Sequence, residues 1–206
     1  MTFLALLRHA ETDWSMARRL QGRTDVPLND AGRRALAGRR VPAACHAMHA
    51  VSSPLLRCTQ TAHCLGLSAV VLEPRLTEMS WGAWEGCTLA ALRASLGAPM
   101  LDNEAKGLDF RPDGGESPRE VLQRVQPWLA ELGHARRNTL AISHRGVIRA
   151  VFARAMAWDM CGKPPAKLDW SCVQLFRLDA LGHPQVQQLN LPLDASVQAP
   201  GHGVVG

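Results

Sequence analysis

Lysine is almost missing: only Lys106, Lys163 and Lys167 stand among 23 basic residues, and the other 20 are arginine. The arginines are scattered, with no basic stripe interleaved with aromatics and no zinc-finger or RNA-binding motif. The net charge of +5 therefore reads partly as compositional bias and partly as attraction of anions, not as a nucleic-acid surface. No long block of either charge occurs, and at 47% hydrophobic and 20% charged residues the chain is too apolar to stay disordered. Long hydrophobic runs are missing too. The apolar stretch before Arg8 is about five residues, short of a signal-peptide core of roughly 7 to 15, and no window approaches a membrane span. The six cysteines, Cys45, Cys58, Cys64, Cys87, Cys161 and Cys172, show neither Cys-x-x-Cys nor paired zinc spacing, so buried free thiols and a cytoplasmic location are expected. Cys45-His46-Ala47-Met48-His49 lacks a fourth ligand and reads as an ordinary histidine pair, so no metal is expected.

What is present begins at Phe3-Leu4-Ala5-Leu6-Leu7, an apolar run that leads directly into Arg8-His9-Ala10-Glu11-Thr12. A short run of this kind suits a buried parallel strand, and open α/β sheets bind ligands just beyond the carboxyl ends of such strands. Arginine offers a permanently charged fork for phosphate oxygens, and an imidazole can serve as nucleophile, acid, base or metal ligand. Taken alone the pair is also an ordinary solvated strand end. The pattern recurs: Thr139-Leu140-Ala141-Ile142-Ser143 is a second candidate strand, ending in His144-Arg145-Gly146 before an apolar helical stretch, Val147 to Met156.

Other segments place the remaining elements. Asn29 or Asp30 can cap a helix running to about Arg40. Ala50-Val51-Ser52 reads as a strand, followed by Ser53 as helix cap, Pro54 at the first helical position and Arg57 in the first turn, where the helix end already favours anions. Val70-Val71-Leu72 is a third short strand, residues 76–86 read as loop, and Thr88 to Leu96 as a short helix. Ser117, Pro118 and Glu120 form a capping box for a helix whose Val121, Leu122, Val125, Trp128, Leu129 and Leu132 recur at helical spacing, which puts Trp128 in the core. Val173 to Leu178 and Gln185 to Leu191 close the chain as an apolar hairpin around Gly182, an edge to which a second copy could pair, although oligomeric state is not legible. At 206 residues, one domain over 1–198 with a loose tail at 199–206 is expected.

Arg8-His9-Ala10-Glu11-Thr12, Ser52-Ser53-Pro54-Leu55-Leu56-Arg57 through Ala62, Glu78 before Trp81-Gly82-Ala83-Trp84-Glu85-Gly86, Gly114-Gly115-Glu116-Ser117, and Ser143-His144 together resemble the histidine phosphatase superfamily, phosphoglycerate mutase-like branch. Five motifs in the same order over roughly residues 3 to 180 are far more specific than one Arg-His pair. The resemblance implies a three-layer α/β sandwich with a central, mostly parallel sheet flanked by helices. It also implies cofactor-free and metal-free phosphoryl transfer through a phosphohistidine. By motif position His9 would be the nucleophile, with Arg8, Arg57 and His144 on the phosphoryl oxygens and Glu78 as proton donor to the leaving oxygen. Ser15, Gln21, Gly22 and Arg145 join the expected phosphate- and substrate-binding set. Such roles suit a transition state that spreads negative charge over its equatorial oxygens. A nucleophilic imidazole also needs an acceptor on its second nitrogen, such as a backbone carbonyl.

Three positions depart from the family's usual pattern: Ala10 stands where glycine is common, Ser15 where asparagine often contacts phosphate, and Arg145 where a small residue often follows the second histidine. Trp81 and Trp84 can line the substrate mouth or pack their loop, His63 is read as structural, and Glu11 and Glu116 as anchors of active-site arginines. The expected function is a phosphomonoesterase acting on a small phosphorylated metabolite. A cofactor-dependent phosphoglycerate mutase and a non-catalytic phosphate-binding protein of the same fold are the alternatives. The segment from Glu78 to Gly114 is short for the insertion that shields the phosphoenzyme in the mutases.

Overall fold

The computed structural model describes residues 1–195; the tail expected at 199–206 lies outside the described residues. The chain runs through β1 (Thr2–Arg8), α1 (Asp13–Met16), α2 (Asp30–Leu36), β2 (Arg39–Arg40), β3 (His49–Ser52), α3 (Leu56–Cys64) and β4 (Val71–Leu72). It continues through α4 (Leu89–Leu96), α5 (Ala98–Glu104), α6 (Pro118–Ala135), β5 (Thr139–Ser143), α7 (Arg145–Ala155), β6 (Val173–Leu178), β7 (Pro184–Leu191) and β8 (Asp194–Ala195). Six strands form one sheet in the order β4-β3-β5-β1-β6-β7. The first four are mutually parallel, whereas β6 and β7 are antiparallel additions. This is the expected three-layer, mostly parallel arrangement.

The layers follow from the two-residue period of a strand, which sends successive side chains to opposite faces. In β1, Leu4 and Leu6 join Ala141 and Phe176 beneath α6 and α7, where Val121, Val125, Trp128, Leu129, Ile148 and Phe152 complete one core. Ala5 and Leu7 face the other way, with Leu140 and Ile142, onto Leu36 of α2 and Cys58 and Ala62 of α3. Strands covered on both faces read as continuous apolar runs, which is why β1 and β5 stand out in the sequence. The register then lines up their ends: Arg8 lies opposite Ser143, and Ser52 opposite Ile142. The chain beyond each strand stays in line, since the His9 N–H donates to the Ser143 carbonyl (3.0 Å) and the Ser53 N–H to the Ile142 carbonyl (2.9 Å).

Several local expectations need correction. The helix capped by Asn29 stops at Leu36, not Arg40, because no apolar residue continues its buried face; Arg39 and Arg40 instead pair antiparallel with β8. Ser53 does not cap α3, because the helix starts later, at Leu56 with Leu55 as its cap; the Ser53 hydroxyl accepts from the Leu55 N–H (3.4 Å) and meets His144 Nε2 (2.8 Å). Helices α1 and α5 fall in stretches given no element from the sequence. The closing hairpin is less apolar than expected, since Gln185, Gln187 and Gln188 of its edge strand are exposed. All six cysteines are free, but only Cys45 and Cys58 are buried and Cys161 is exposed. Among the described residues no helix is long and apolar enough to cross a membrane, and no cluster of potential ligands could hold a metal ion.

The capping box of α6 is formed as the sequence implies: the Ser117 hydroxyl accepts from the Glu120 N–H (3.2 Å), and the Glu120 carboxylate accepts from the Ser117 N–H (2.8 Å). Ser117→Ala should cost about 1 kcal/mol of stability. In a thermal denaturation experiment this corresponds to a fall in Tm of about 2–4 °C for a domain of this size.

Candidate active site

The carboxyl ends of β3, β5 and β1 lie side by side, and that of β1 opens on a cavity of about 1140 Å³, on whose wall Arg8, His9, Ser15, Gln21, Glu78 and Arg145 all appear. His9 directly follows β1 and is almost wholly buried, and its Nδ1 lies 2.7 Å from the carbonyl of Ala10. A carbonyl can only accept, so Nδ1 carries the proton and Nε2 is left with its lone pair. Ala10 therefore contributes through its backbone, while its N–H donates to Thr61 Oγ1 (3.0 Å) and its side chain packs on the α2–α3 core. Its φ is not positive, so a methyl here strains nothing.

His144 follows β5, and its ring centroid lies 5.3 Å from that of His9. Arg57 Nε donates to His144 Nδ1 at 3.3 Å, which leaves the proton of the neutral ring on Nε2, 2.8 Å from Ser53 Oγ. Arg57 is fully buried, and its other two nitrogens donate to the carbonyls of Gly22 (2.7 Å) and Thr24 (2.9 Å). The structure thus brings all five expected catalytic residues together, with Arg57 and His144 enclosed behind His9 and the other three on the cavity wall. Gly22 takes part through its carbonyl, at a φ of +53°, and a Cβ there would fall 1.9 Å from Glu85 Oε1. Glu85, part of the Trp81–Gly86 motif but given no role from the sequence, has a carboxylate that accepts from the backbone N–H groups of Arg23, Thr24 and Trp81.

Arg8 faces the cavity with its buried Nε lacking any hydrogen-bond partner. A buried donor left this way costs about 1–3 kcal/mol, a deficit that an anion beside it removes. Ser15 is held by Thr12, accepting from its N–H and donating to its carbonyl, both at 2.9 Å. Thr12 Oγ1 also donates to the Gln21 amide oxygen (3.0 Å), leaving the Gln21 NH₂ as the group available to a ligand. Glu78 accepts from the N–H groups of Met79 (2.8 Å) and Gly146 (3.0 Å). Gly146 was not singled out from the sequence, yet a Cβ there would fall 2.4 Å from Glu78 Oε1.

Burial dominates the protonation states. It pushes the Glu78 carboxyl above its ordinary value despite its two backbone donors and the nearby Arg57 and Arg8. Burial, then the charges of Arg8 and Arg57, hold His9 well below its ordinary value, and His144 is held down by burial and Arg57. Both rings are neutral and the carboxyl retains its proton to higher pH than usual.

The remaining expectations divide. Trp81 lines the cavity and also packs on Phe110 (5.6 Å between centroids), as does Trp84 at 6.0 Å. Glu116 anchors arginines, Arg23 (3.1 Å) and Arg124 (3.0 Å), but neither is Arg8 or Arg57. Glu11 holds no arginine; its carboxylate accepts from Asn29 (3.4 Å). His46 is tied to the Val41 carbonyl (2.9 Å), and His49 and His63 are exposed.

Residues 4–192 match the profile of the histidine phosphatase superfamily (branch 1). A glucosyl-3-phosphoglycerate phosphatase of Mycobacterium tuberculosis is 32% identical over 176 residues, covering 78% of each protein. The phosphoglycerate mutase-like protein 4 of Arabidopsis thaliana is 31% identical, over 74% of this chain and 70% of its own length. Among solved structures, the complex of mycobacterial glucosyl-3-phosphoglycerate phosphatase with inorganic phosphate superposes with a TM-score of 0.74 at 26% identity, covering 93% of this chain and 98% of that one. A Bacillus stearothermophilus protein, YhfR, gives a TM-score of 0.76 at 26% identity, covering 94% and 98%. With paired strand-end histidines, buried arginines and an enclosed carboxyl in one cavity, this chain belongs to the histidine phosphatase superfamily, branch 1.

Proposed function

We propose that this phosphomonoesterase transfers the phosphoryl group of a small ester to Nε2 of His9 and then to water. The observation that carries the reading is the 2.7 Å bond between His9 Nδ1 and the Ala10 carbonyl, which aims a free lone pair into a cationic cavity. In the first step Nε2 bonds to phosphorus, the ester P–O bond breaks, and the Glu78 proton passes to the departing oxygen. In the second step a water attacks the phosphohistidine while Glu78 takes its proton, and inorganic phosphate leaves. Arg8 offers its unpartnered guanidinium to the phosphoryl oxygens. Ser15 and Gln21 add neutral donors, Gly22 serves by holding Arg57, and Arg145 stands further along the wall. Arg57 and His144 act from behind, the latter by exchanging its Ser53 acceptor for a phosphoryl oxygen.

The same reading takes residues 1–198 as one catalytic domain, supported by the family match over 4–192 and by two cores packed on one sheet. A cytoplasmic setting agrees with six cysteines that all remain free thiols. Release to water, in preference to return to the substrate, is supported by the short stretch between Glu78 and Gly114, which forms only one helical turn at Gly82–Trp84, α4, α5 and a second turn at Gly107–Asp109.

His9→Ala should abolish phosphate release and the acid-labile phosphoenzyme seen after acid quench; a labelled phosphoenzyme surviving in that variant would remove His9 from its role. Rapid isomerisation of 3-phosphoglycerate in the presence of 2,3-bisphosphoglycerate, with little phosphate freed, would instead make the enzyme a mutase.

The rate should rise with pH through the depressed value of His9, which must be neutral, and fall through the raised value of Glu78, which must be protonated. Glu78→Gln should therefore lose the alkaline fall and about 10²–10⁴-fold in kcat on alkyl phosphates. The loss should be smaller on p-nitrophenyl phosphate, whose leaving group needs no proton.

Glu85→Ala frees the loop whose carbonyls hold Arg57. It should weaken inhibition by inorganic phosphate about tenfold, as expected for the loss of a charge-assisted hydrogen-bond network, with the circular-dichroism spectrum unchanged.

A further inference from the structure

Among the cavity-wall arginines without a task in the transfer just described, two stand together on α7. Arg145 and Arg149 lie four residues apart on α7, hence on one face and about 6 Å apart along the axis. On the same wall Arg93 is neutralised by Glu104 (2.7 Å), whereas among the described residues neither Arg145 nor Arg149 holds a carboxylate. Each stacks on an indole instead: the Arg145 guanidinium lies 5.1 Å from the Trp170 ring centroid, and that of Arg149 5.5 Å from Trp158. Stacking covers the flat face of a guanidinium and fixes its plane, leaving the N–H edge open for bidentate pairing with an anion.

Electrostatics disfavours this arrangement while it has no counter-charge. Arg145 is the first residue of α7, where the helix end is already positive, and a second cation four residues on repels it. Burial, then the Arg145 charge, holds the Arg149 guanidinium below its ordinary value, and Arg145 presses on Arg8 as well.

We propose that Arg145 and Arg149 form a second anion subsite, selecting phosphate esters that carry another negative group, a carboxylate or a second phosphate, besides the phosphoryl group being transferred. The proposal rests on the phosphomonoesterase reading and names its substrate class. Trp170 and Trp158 are then positioning residues for the two forks.

The test compares esters matched except for the second charge: 3-phosphoglycerate against glycerol 3-phosphate, and fructose 1,6-bisphosphate against fructose 6-phosphate. The full chain should favour the doubly anionic member of at least one pair in kcat/KM by about tenfold or more, the order expected of one charge-assisted hydrogen bond. The pair that shows the preference distinguishes carboxylate from phosphate. Higher ionic strength should erode that preference, and Arg145→Met with Arg149→Met should remove it, with Arg149→Lys alone keeping part of it. If the double variant does not fold, Arg145→Gln, at an exposed position, carries the same comparison. Equal kcat/KM within both pairs, or a preference that survives the substitutions, overturns the subsite while leaving the phosphomonoesterase intact. Failure to hydrolyse any ester, with no phosphohistidine formed, overturns the underlying reading instead.

Discussion

The burial of one guanidinium organises this site. Arg57 exposes no surface, so each of its nitrogens must find an acceptor within the protein, and the three it finds belong to different parts of the chain: the carbonyls of Gly22 and Thr24 and the ring of His144. An uncompensated buried charge costs several kcal/mol, so loop 22–24, α3 and the end of β5 are obliged to keep one mutual arrangement. Glu85 extends the constraint by holding the N–H groups of Arg23, Thr24 and Trp81, which ties the turn over the cavity mouth to the same loop. The position of His144, and with it the ring packed beside His9, follows from satisfying Arg57.

The same burial sets the chemistry. Removing water from two imidazoles among arginines keeps both neutral, and removing it from Glu78 keeps a carboxylic acid protonated to higher pH than in solution. On the proposed reading, a lone pair on His9 and a proton on Glu78 are the complementary states that phosphoryl transfer needs. Desolvation supplies both, while the cations oppose protonation of the rings and favour ionisation of the acid. Glu78 is therefore held between burial on one side and the arginines and its two backbone donors on the other.

Much of this was legible in the sequence because the signals are local and periodic. The apolar runs of β1 and β5 announce strands covered on both faces, and Arg8-His9 and Ser143-His144 mark their ends. Ser117-Pro118-Arg119-Glu120 announces α6 with its cap. What was hidden depends on partners distant in the chain. Ser53 reads as a helix cap, but its hydroxyl is engaged by His144, 91 residues away. Glu85 belongs to a loop-like run with no periodicity, so nothing local shows that three backbone donors converge on it. Arg149 lies within an apolar helical stretch, with nothing local to mark it until folding brings it over Trp158 beside Arg145 and Trp170. Helix α2 shows the reverse case: a good cap and a plausible composition predicted continuation to Arg40, but Arg39 and Arg40 do not continue the buried face of Gly32 and Leu36, and the helix ends.

Gly146 separates two kinds of position that adjoin in sequence. Its missing side chain is the space in which the Glu78 carboxylate lies, and its N–H helps hold that carboxylate. Any larger residue there displaces the acid, whatever its charge or polarity. Residue 145 lines the cavity, and its side chain makes none of the hydrogen bonds that hold His9, His144 or Glu78. The recognition surface can thus drift by single substitutions one residue away from a position that admits none, and a lineage built on this frame could exchange substrates repeatedly while its acid stayed in place.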